Sequence, residues 1–159
     1  MNGLDSINYP MEKRIIADKT YTYKDFKPFF KGPVKIYLSR KSEKKIIISQ
    51  NYLARALENE KIIYGVNTGF GNLSHIGVNS KDLEKLQKNL VRSHASGAGE
   101  PLSFGIVRTI LFLKLLTFSK GYSGVRIDVV KKIIQFLNKD ILPVIPKKGS
   151  VGASGDLAP

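Results

Sequence analysis

The chain has 159 residues, 42% of them hydrophobic, which fits one globular domain with a core and excludes a wholly disordered chain. It has no Cys and two His, His75 and His94, so disulfides and thiolate metal sites are excluded and a His-rich zinc centre is not expected. Its 26 Lys and Arg against 13 Asp and Glu give a net charge of +13, spread as +6 in residues 1–50 and +7 in the rest. So diffuse an excess reads as solvated surface, with a basic module for nucleic acid or an acidic partner as the alternative of a different class.

Residues 1–33 hold three Pro and the aromatics Tyr21, Tyr23, Phe26, Phe29 and Phe30, a pattern that predicts an irregular arm or docking segment. The N-terminal MNGLDSINYPMEKR has no basic segment followed by an apolar run, so no signal peptide is expected and the compartment is expected to be cytoplasmic. Val34-Lys35-Ile36-Tyr37-Leu38 alternates as a half-buried strand does, and Ile46-Ile47-Ile48 is a second short β candidate. Residues 51–59 read as a short helix. Tyr64-Gly65-Val66-Asn67-Thr68-Gly69-Phe70-Gly71-Asn72, with three Gly and two Asn, reads as a loop.

From Ser80 the pattern turns helical, with Ser80 as a candidate cap and Asp82 and Glu84 at the positive end of the dipole. Leu83, Leu86, Leu90, Val91 and His94 are expected on one face, and Ser96 to Pro101 stops the helix. Residues 102–120 are apolar nearly all round, which predicts burial in a large core or between subunits. Arg108 and Lys114 interrupt this run, so no membrane span is expected. Residues 127–138 form a further amphipathic helix. After Pro143 and Pro146 a Gly/Ser/Ala loop runs to Asp156-Leu157-Ala158-Pro159. The fold class is therefore mainly α-helical with minor β near the N-terminus. The all-round apolar helix needs more cover than the other helices provide, so the chain is expected to be a segment of a longer protein.

The three Gly-containing loops do not carry the common phosphate-binding, dinucleotide or serine-hydrolase motifs. None ends in the Gly-Lys-Ser/Thr of a phosphate-binding loop, and neither Gly69-Phe70-Gly71 nor Gly97-Ala98-Gly99 has the third Gly of a dinucleotide fingerprint. Gly152-Ala153-Ser154-Gly155-Asp156 has Asp where a nucleophile elbow has Gly, and both His precede Ser154, so serine-hydrolase chemistry does not fit. Ala153-Ser154-Gly155 permits another reaction. The amide nitrogen of Gly155, with no side chain beside it, can attack the carbonyl carbon of Ala153. Loss of water closes a five-membered ring, and loss of a second water from Ser154 leaves an exocyclic alkene, an electrophile made only from protein. The bare tripeptide is also common in ordinary loops.

The wider pattern resembles the aromatic amino acid ammonia-lyases, the family of histidine and phenylalanine/tyrosine ammonia-lyases. YGVNTGFGNL at 64–73, LQKNLVRSHASGAGEPL at 86–102, KGYSGVR at 120–126 and ILPVIPKKGSVGASGDLAP at 141–159 carry the resemblance, in family order. It covers residues 34–159, the N-terminal part of an ammonia-lyase domain with its cofactor-forming loop, and hardly touches the arm at 1–33. It implies the N-terminal portion of a helical ammonia-lyase fold and a methylidene-imidazolone (MIO) group formed from Ala153, Ser154 and Gly155. No metal is implied.

The implied reaction is non-oxidative elimination of ammonia from an aromatic amino acid, with histidine to urocanate favoured and tyrosine or phenylalanine as alternatives. By resemblance Tyr64 is the base that removes the β-proton. A phenol titrates near ~10 in water, so that role needs surroundings that activate it. By resemblance too, Ser93 and His94 line the pocket for the substrate ring, Gly71 lies against substrate and cofactor, and Asp156 assists maturation. The plain readings are a packed Tyr, a core His and a helix-capping Asp. Ser93-His94 is closer to the histidine-type pair than to Phe-Leu or His-Leu, although some tyrosine-type members carry it. One departure is Lys114 and Leu116, where the family commonly has an Arg-x-Asn-type pattern before KGYSGVR. Family members continue for several hundred residues that supply further pocket residues and the carboxylate-binding Arg, and they assemble as homotetramers. The segment alone is therefore expected to be inactive, or else a truncated relative.

Overall fold

The computed structural model describes residues 12–17, 19–69, 76–78 and 80–149. They fall into two compact units, the described parts of Met1–Ser49 with Ser103–Leu142, and of Gln50–Leu102 with Pro143–Pro159.

In the first unit, Glu12–Ile16 (β1) pairs in parallel with Val34–Leu38 (β2), Glu12 opposite Val34 and Ile16 opposite Leu38. A parallel pair needs a crossover. Residues 17–33 supply it with a 3-10 turn at Tyr23–Phe26 and a short helix, Lys27–Lys31 (α1), whose first turn holds Pro28 where no backbone donor is lost. The described part of the arm read as irregular thus holds a strand, a turn and a helix. What orders it is distant in sequence. Phe112 receives the rings of Phe29 at 4.6 Å, Phe26 at 5.9 Å and Tyr21 at 6.0 Å, the last two edge-on. Edge-to-face pairs of this kind contribute roughly 0.5–1.5 kcal/mol beyond burial.

Phe112 lies on Phe104–Ser119 (α4), two residues shorter at its start than the expected 102–120. Val107, Phe112, Leu115 and Leu116 of α4 join Ile16, Phe29, Val34 and Ile36 in the core, while Ile106, Ile110 and Leu113 are exposed. Ile127–Asn138 (α5) coincides with the expected 127–138 and adds Val130 and Leu137. Asn138 lies beside β2: its Oδ1 accepts from the N–H of Ile36 at 2.6 Å and its Nδ2 donates to the carbonyl of Ile36 at 3.0 Å. One side chain thereby satisfies a strand edge as a neighbouring strand would. At Gly105 a Cβ would lie 2.9 Å from Phe30 Cα, so α1 and α4 approach closely because glycine stands there.

Arg108, the charge that interrupts the apolar run, is 8% exposed. Its Nε and Nη2 donate to the Asp140 carboxylate at 2.8 and 2.9 Å, and its Nη1 donates to the carbonyl of Phe29 at 3.2 Å. Asp140 sits in the left-handed region (φ +53°) just past α5, where the N–H of Ile141 reaches back to Phe136 O and that of Asp140 to Leu137 O. Leu116, one of the two departures from the family pattern, is in the core, whereas Lys114 stays exposed with its Nζ 5.2 Å from the centre of the Phe118 ring.

Arg40–Glu58 (α2) overturns the β reading of Ile46–Ile48 and absorbs the short helix expected at 51–59. Ser39 Oγ accepts from the N–H of Ser42 at 3.1 Å, an N-cap. Ser42 and Ile46, four apart, are buried, while Ile47 and Ile48 are exposed. Three β-branched residues do not outweigh a cap followed by straight-chain Lys and Glu. Among the described residues no helix is long and apolar enough to cross a membrane.

In the second unit, α2 ends with Glu60 left-handed (φ +53°), the N–H of Lys61 bonding Ala56 O and that of Glu60 bonding Leu57 O. A 3-10 turn, Ser80–Asp82, leads into Leu83–His94 (α3), whose N-cap is Asp82 rather than Ser80. Leu83, Leu86, Leu90 and His94 are its half-buried positions; Val91, expected with them, is 68% exposed. Ala98–Pro101 (β3) pairs antiparallel with Pro146–Lys148 (β4), Ala98 opposite Lys148. Both strands lie in stretches read as loop. The pair closes with the N–H of Leu102 donating to Ile145 O at 2.8 Å.

Candidate active site

The described site residues belong to the second unit. Tyr64 is on a turn between α2 and α3 and is 63% exposed. The carbonyl of Ile63 accepts the N–H groups of Val66 at 3.1 Å and Asn67 at 3.2 Å, and Gly65 is left-handed (φ +75°), a conformation open to glycine at little cost. Beyond the turn the chain doubles back: the N–H of Val78 donates to Asn67 O at 2.7 Å, that of Gly69 donates to Ile76 O at 3.2 Å, and Thr68 bridges Gly77.

Two side chains that sequence reasoning did not single out secure this loop. Asn67 Oδ1 accepts from the N–H of Ile63 at 2.7 Å, and its Nδ2 donates to Lys61 O at 2.9 Å. Thr68, fully buried, accepts at Oγ1 from the N–H of Gly65 at 3.3 Å and donates to Gly69 O at 2.8 Å. Their signal was in the sequence, since Asn and Thr beside glycines bond local backbone readily.

Ser93 and His94 form the last turn of α3. Ser93 Oγ donates to Leu90 O at 2.9 Å. His94 Nδ1 lies 2.9 Å from that same carbonyl and 2.9 Å from Ser93 Oγ. A carbonyl only accepts, so the contact with Leu90 is a hydrogen bond in the tautomer that carries its proton on Nδ1, and in that tautomer the lone pair is on Nε2. His94 is thus half-buried, with one ring nitrogen held against its own helix.

Gly71, Ala153, Ser154, Gly155 and Asp156 lie outside the described residues. The segment that leads to them leaves β4, which is hydrogen-bonded to the strand four residues after His94. Gly97 tightens this junction, because a Cβ there would overlap Pro146 Cγ. A separate hollow of about 750 Å³ in this unit is lined by Leu57, Ile62, Val78 and Leu83 with Glu58 and Glu60; it includes Asn67 but neither Tyr64 nor His94. Among the described residues no group of three or more His, Asp or Glu is placed to hold a metal.

A mainly helical chain with a tyrosine-bearing glycine loop and a Ser-His pair closing a helix has close counterparts of known structure. A ligand-bound tyrosine aminomutase mutant superposes with a TM-score of 0.82 at 31% identity, over 92% of this chain and 27% of that one. Histidine ammonia-lyase from Trypanosoma cruzi superposes with a TM-score of 0.71 at 31% identity, over 84% of this chain and 25% of that one. The fold is that of the helical ammonia-lyases and aminomutases. The family model for aromatic amino acid lyases matches residues 21–159, and the chain belongs to that family. Among curated relatives, histidine ammonia-lyase of Caldanaerobacter subterraneus subsp. tengcongensis is 40% identical over 149 residues, 94% of this chain and 29% of the relative. The chain thus spans less than a third of the length of the curated relatives it matches.

Proposed function

We propose that this chain is the N-terminal portion of an MIO-dependent ammonia-lyase, with histidine as the favoured substrate and urocanate as product. The observation that supports this most is the family match over residues 21–159, which holds the Tyr64 loop, the Ser93-His94 pair and the Ala153-Ser154-Gly155 triad in one chain. The residue types of the triad fit the group: Ala153 offers a carbonyl, Gly155 an unhindered amide, and Ser154 a hydroxyl to lose. An MIO formed there supplies the electrophile that turns the substrate amine into a leaving group.

This chain's own side chains do the rest. Tyr64 takes the β-proton, the Cα–N bond breaks, ammonia departs, and a Cα=Cβ double bond forms. His94 presents Nε2 as an acceptor, which suits a substrate ring bearing an N–H, the imidazole of histidine, or the O–H of a phenol. Ser93 holds the His94 ring from the side of Nδ1. By resemblance Gly71 is assigned to contact with substrate and cofactor, and Asp156 to assisting ring closure at the triad. The whole protein works as a homotetramer in the cytoplasm on a small amino acid, and the exposed Ile106, Ile110 and Leu113 of α4 are consistent with further apolar cover there. The segment alone is inactive, since the part that binds the substrate carboxylate lies elsewhere in the family's chain.

The test is to supply the whole protein separately with His, Tyr and Phe, to follow the absorbance of the conjugated acid, and to weigh the intact chain. A mass two waters below that of the sequence, with urocanate from His, is expected. An active preparation of full, unmodified mass overturns the cofactor reading, and turnover of Tyr or Phe alone overturns the substrate.

A further inference from the structure

We propose that Asn67 and Thr68 are positioning residues for Tyr64, fixing the two peptide planes that flank its Cα. The inference rests on the reading of Tyr64 as the base.

A side chain leaves the backbone in a direction set by φ and ψ, and those angles are set by the peptide planes on either side. Before Tyr64, the Ile63 carbonyl is bound by the N–H groups of Val66 and Asn67. After it, the Gly65 N–H is bound by Thr68 Oγ1 at 3.3 Å. Asn67 adds a second hold on Ile63 by accepting its N–H at 2.7 Å, so one residue binds both backbone polar groups of the residue before Tyr64. Its other side-chain bond, to Lys61 O at 2.9 Å, ties that hold to the chain as it leaves α2. Thr68 is 0% exposed, so its bond to half-buried Gly65 is partly shielded from water, while Tyr64 is 63% exposed. An exposed turn held only by its own backbone opens at small cost. This one is gripped from a buried residue, as a base that must meet a single C–H bond requires.

The grip can be removed with little change in shape. Thr68→Val deletes Oγ1 and keeps the volume; Thr68→Ser keeps Oγ1. Asn67→Asp keeps the acceptor for Ile63 and loses the donor to Lys61. In the whole, tetrameric enzyme, Thr68→Val is expected to lower kcat by about 10- to 100-fold, because a misplacement of about 1 Å costs on the order of 100-fold. KM is expected to stay within about 3-fold, since no substrate-binding group is touched. Thr68→Ser restores turnover, and amide exchange of the peptide 61–69 rises in Thr68→Val but not in Thr68→Ser. In a Tyr64→Phe background Thr68→Val causes no further loss, a non-additivity that general destabilisation does not produce. If Thr68→Val does not assemble, Asn67→Leu, which deletes both the acceptor for the Ile63 N–H and the donor to Lys61 O, is put through the same comparison, with Asn67→Asp as the variant that keeps the hold on Ile63. Unchanged kcat with Tyr64→Phe inactive overturns the positioning role and leaves the base reading standing. Full turnover by Tyr64→Phe removes the base, and the inference falls with it. Equal losses from Thr68→Val with and without Tyr64 overturn the inference alone.

Discussion

Arg108→Met removes a charge from the core of the first unit while keeping most of the side chain's volume. Three donors are lost, two to Asp140 at 2.8 and 2.9 Å and one to Phe29 O at 3.2 Å. Hydrogen bonds to charged groups each contribute roughly 1.5–3 kcal/mol. The Asp140 side chain, however, keeps 33% of its surface exposed against 10% for Arg108, so the stranded carboxylate can hydrate. The full cost of about 3–5 kcal/mol for breaking a buried pair therefore does not apply, and about 2–4 kcal/mol is expected. Asp140→Asn is the companion change. Asn tolerates the left-handed backbone at φ +53°, so it removes charge without backbone strain, at about 1–2 kcal/mol. Native-state amide exchange on peptides of α4 and α5 in the whole protein reads both values as opening free energies, and the double variant gives the coupling. Both single variants within about 0.5 kcal/mol of the parent, with no coupling, would refute the reasoning.

Gly97→Ala places a Cβ in overlap with Pro146 Cγ, against a ring that cannot swing aside. It should destabilise the β3–β4 pair by about 1–3 kcal/mol and speed exchange of the Leu102 amide, and unaltered exchange would remove the steric argument. On the acid side, Asp25 accepts from the Thr22 N–H at 2.9 Å and pairs with Lys19 at 3.3 Å, and these hold its carboxyl below the ordinary 3.8. Its contribution is complete above that unfolded value and fades as pH falls through the lowered folded one. Asp25→Asn should flatten this part of the stability curve, seen as melting temperature against pH below about pH 4; an unchanged slope there counts against the pairing.

Much of the fold was legible because its signals are local. The alternation of Val34 to Leu38 and the period of residues 127–138 each place an apolar face without reference to distant residues, and both stand as read. The triplet Ile46–Ile48 misled because a short apolar run does not declare its period; the cap at Ser39 and the buried pair Ser42 and Ile46 do. Strands β3 and β4 were missed because four and three residues of Ala, Gly, Glu, Pro and Lys carry no strand pattern, and only their pairing makes them strands. Within the site, Tyr64, Ser93 and His94 were singled out by resemblance. The hold of Asn67 and Thr68 on the loop was not: Asn and Thr beside glycines signal bonds to local backbone, but which backbone groups they bind is decided by the fold.

The sequence by itself determined the helical class, the family and the residue types available for chemistry, because periodicity and motif order are properties of the chain alone. Tertiary structure alone decided why a charge stands in an apolar helix, why an aromatic arm is ordered, and how the Tyr64 turn is gripped. Each of those depends on a partner that the fold supplies: Asp140 for Arg108, Phe112 for Tyr21, Phe26 and Phe29, and a buried hydroxyl for the amide of Gly65.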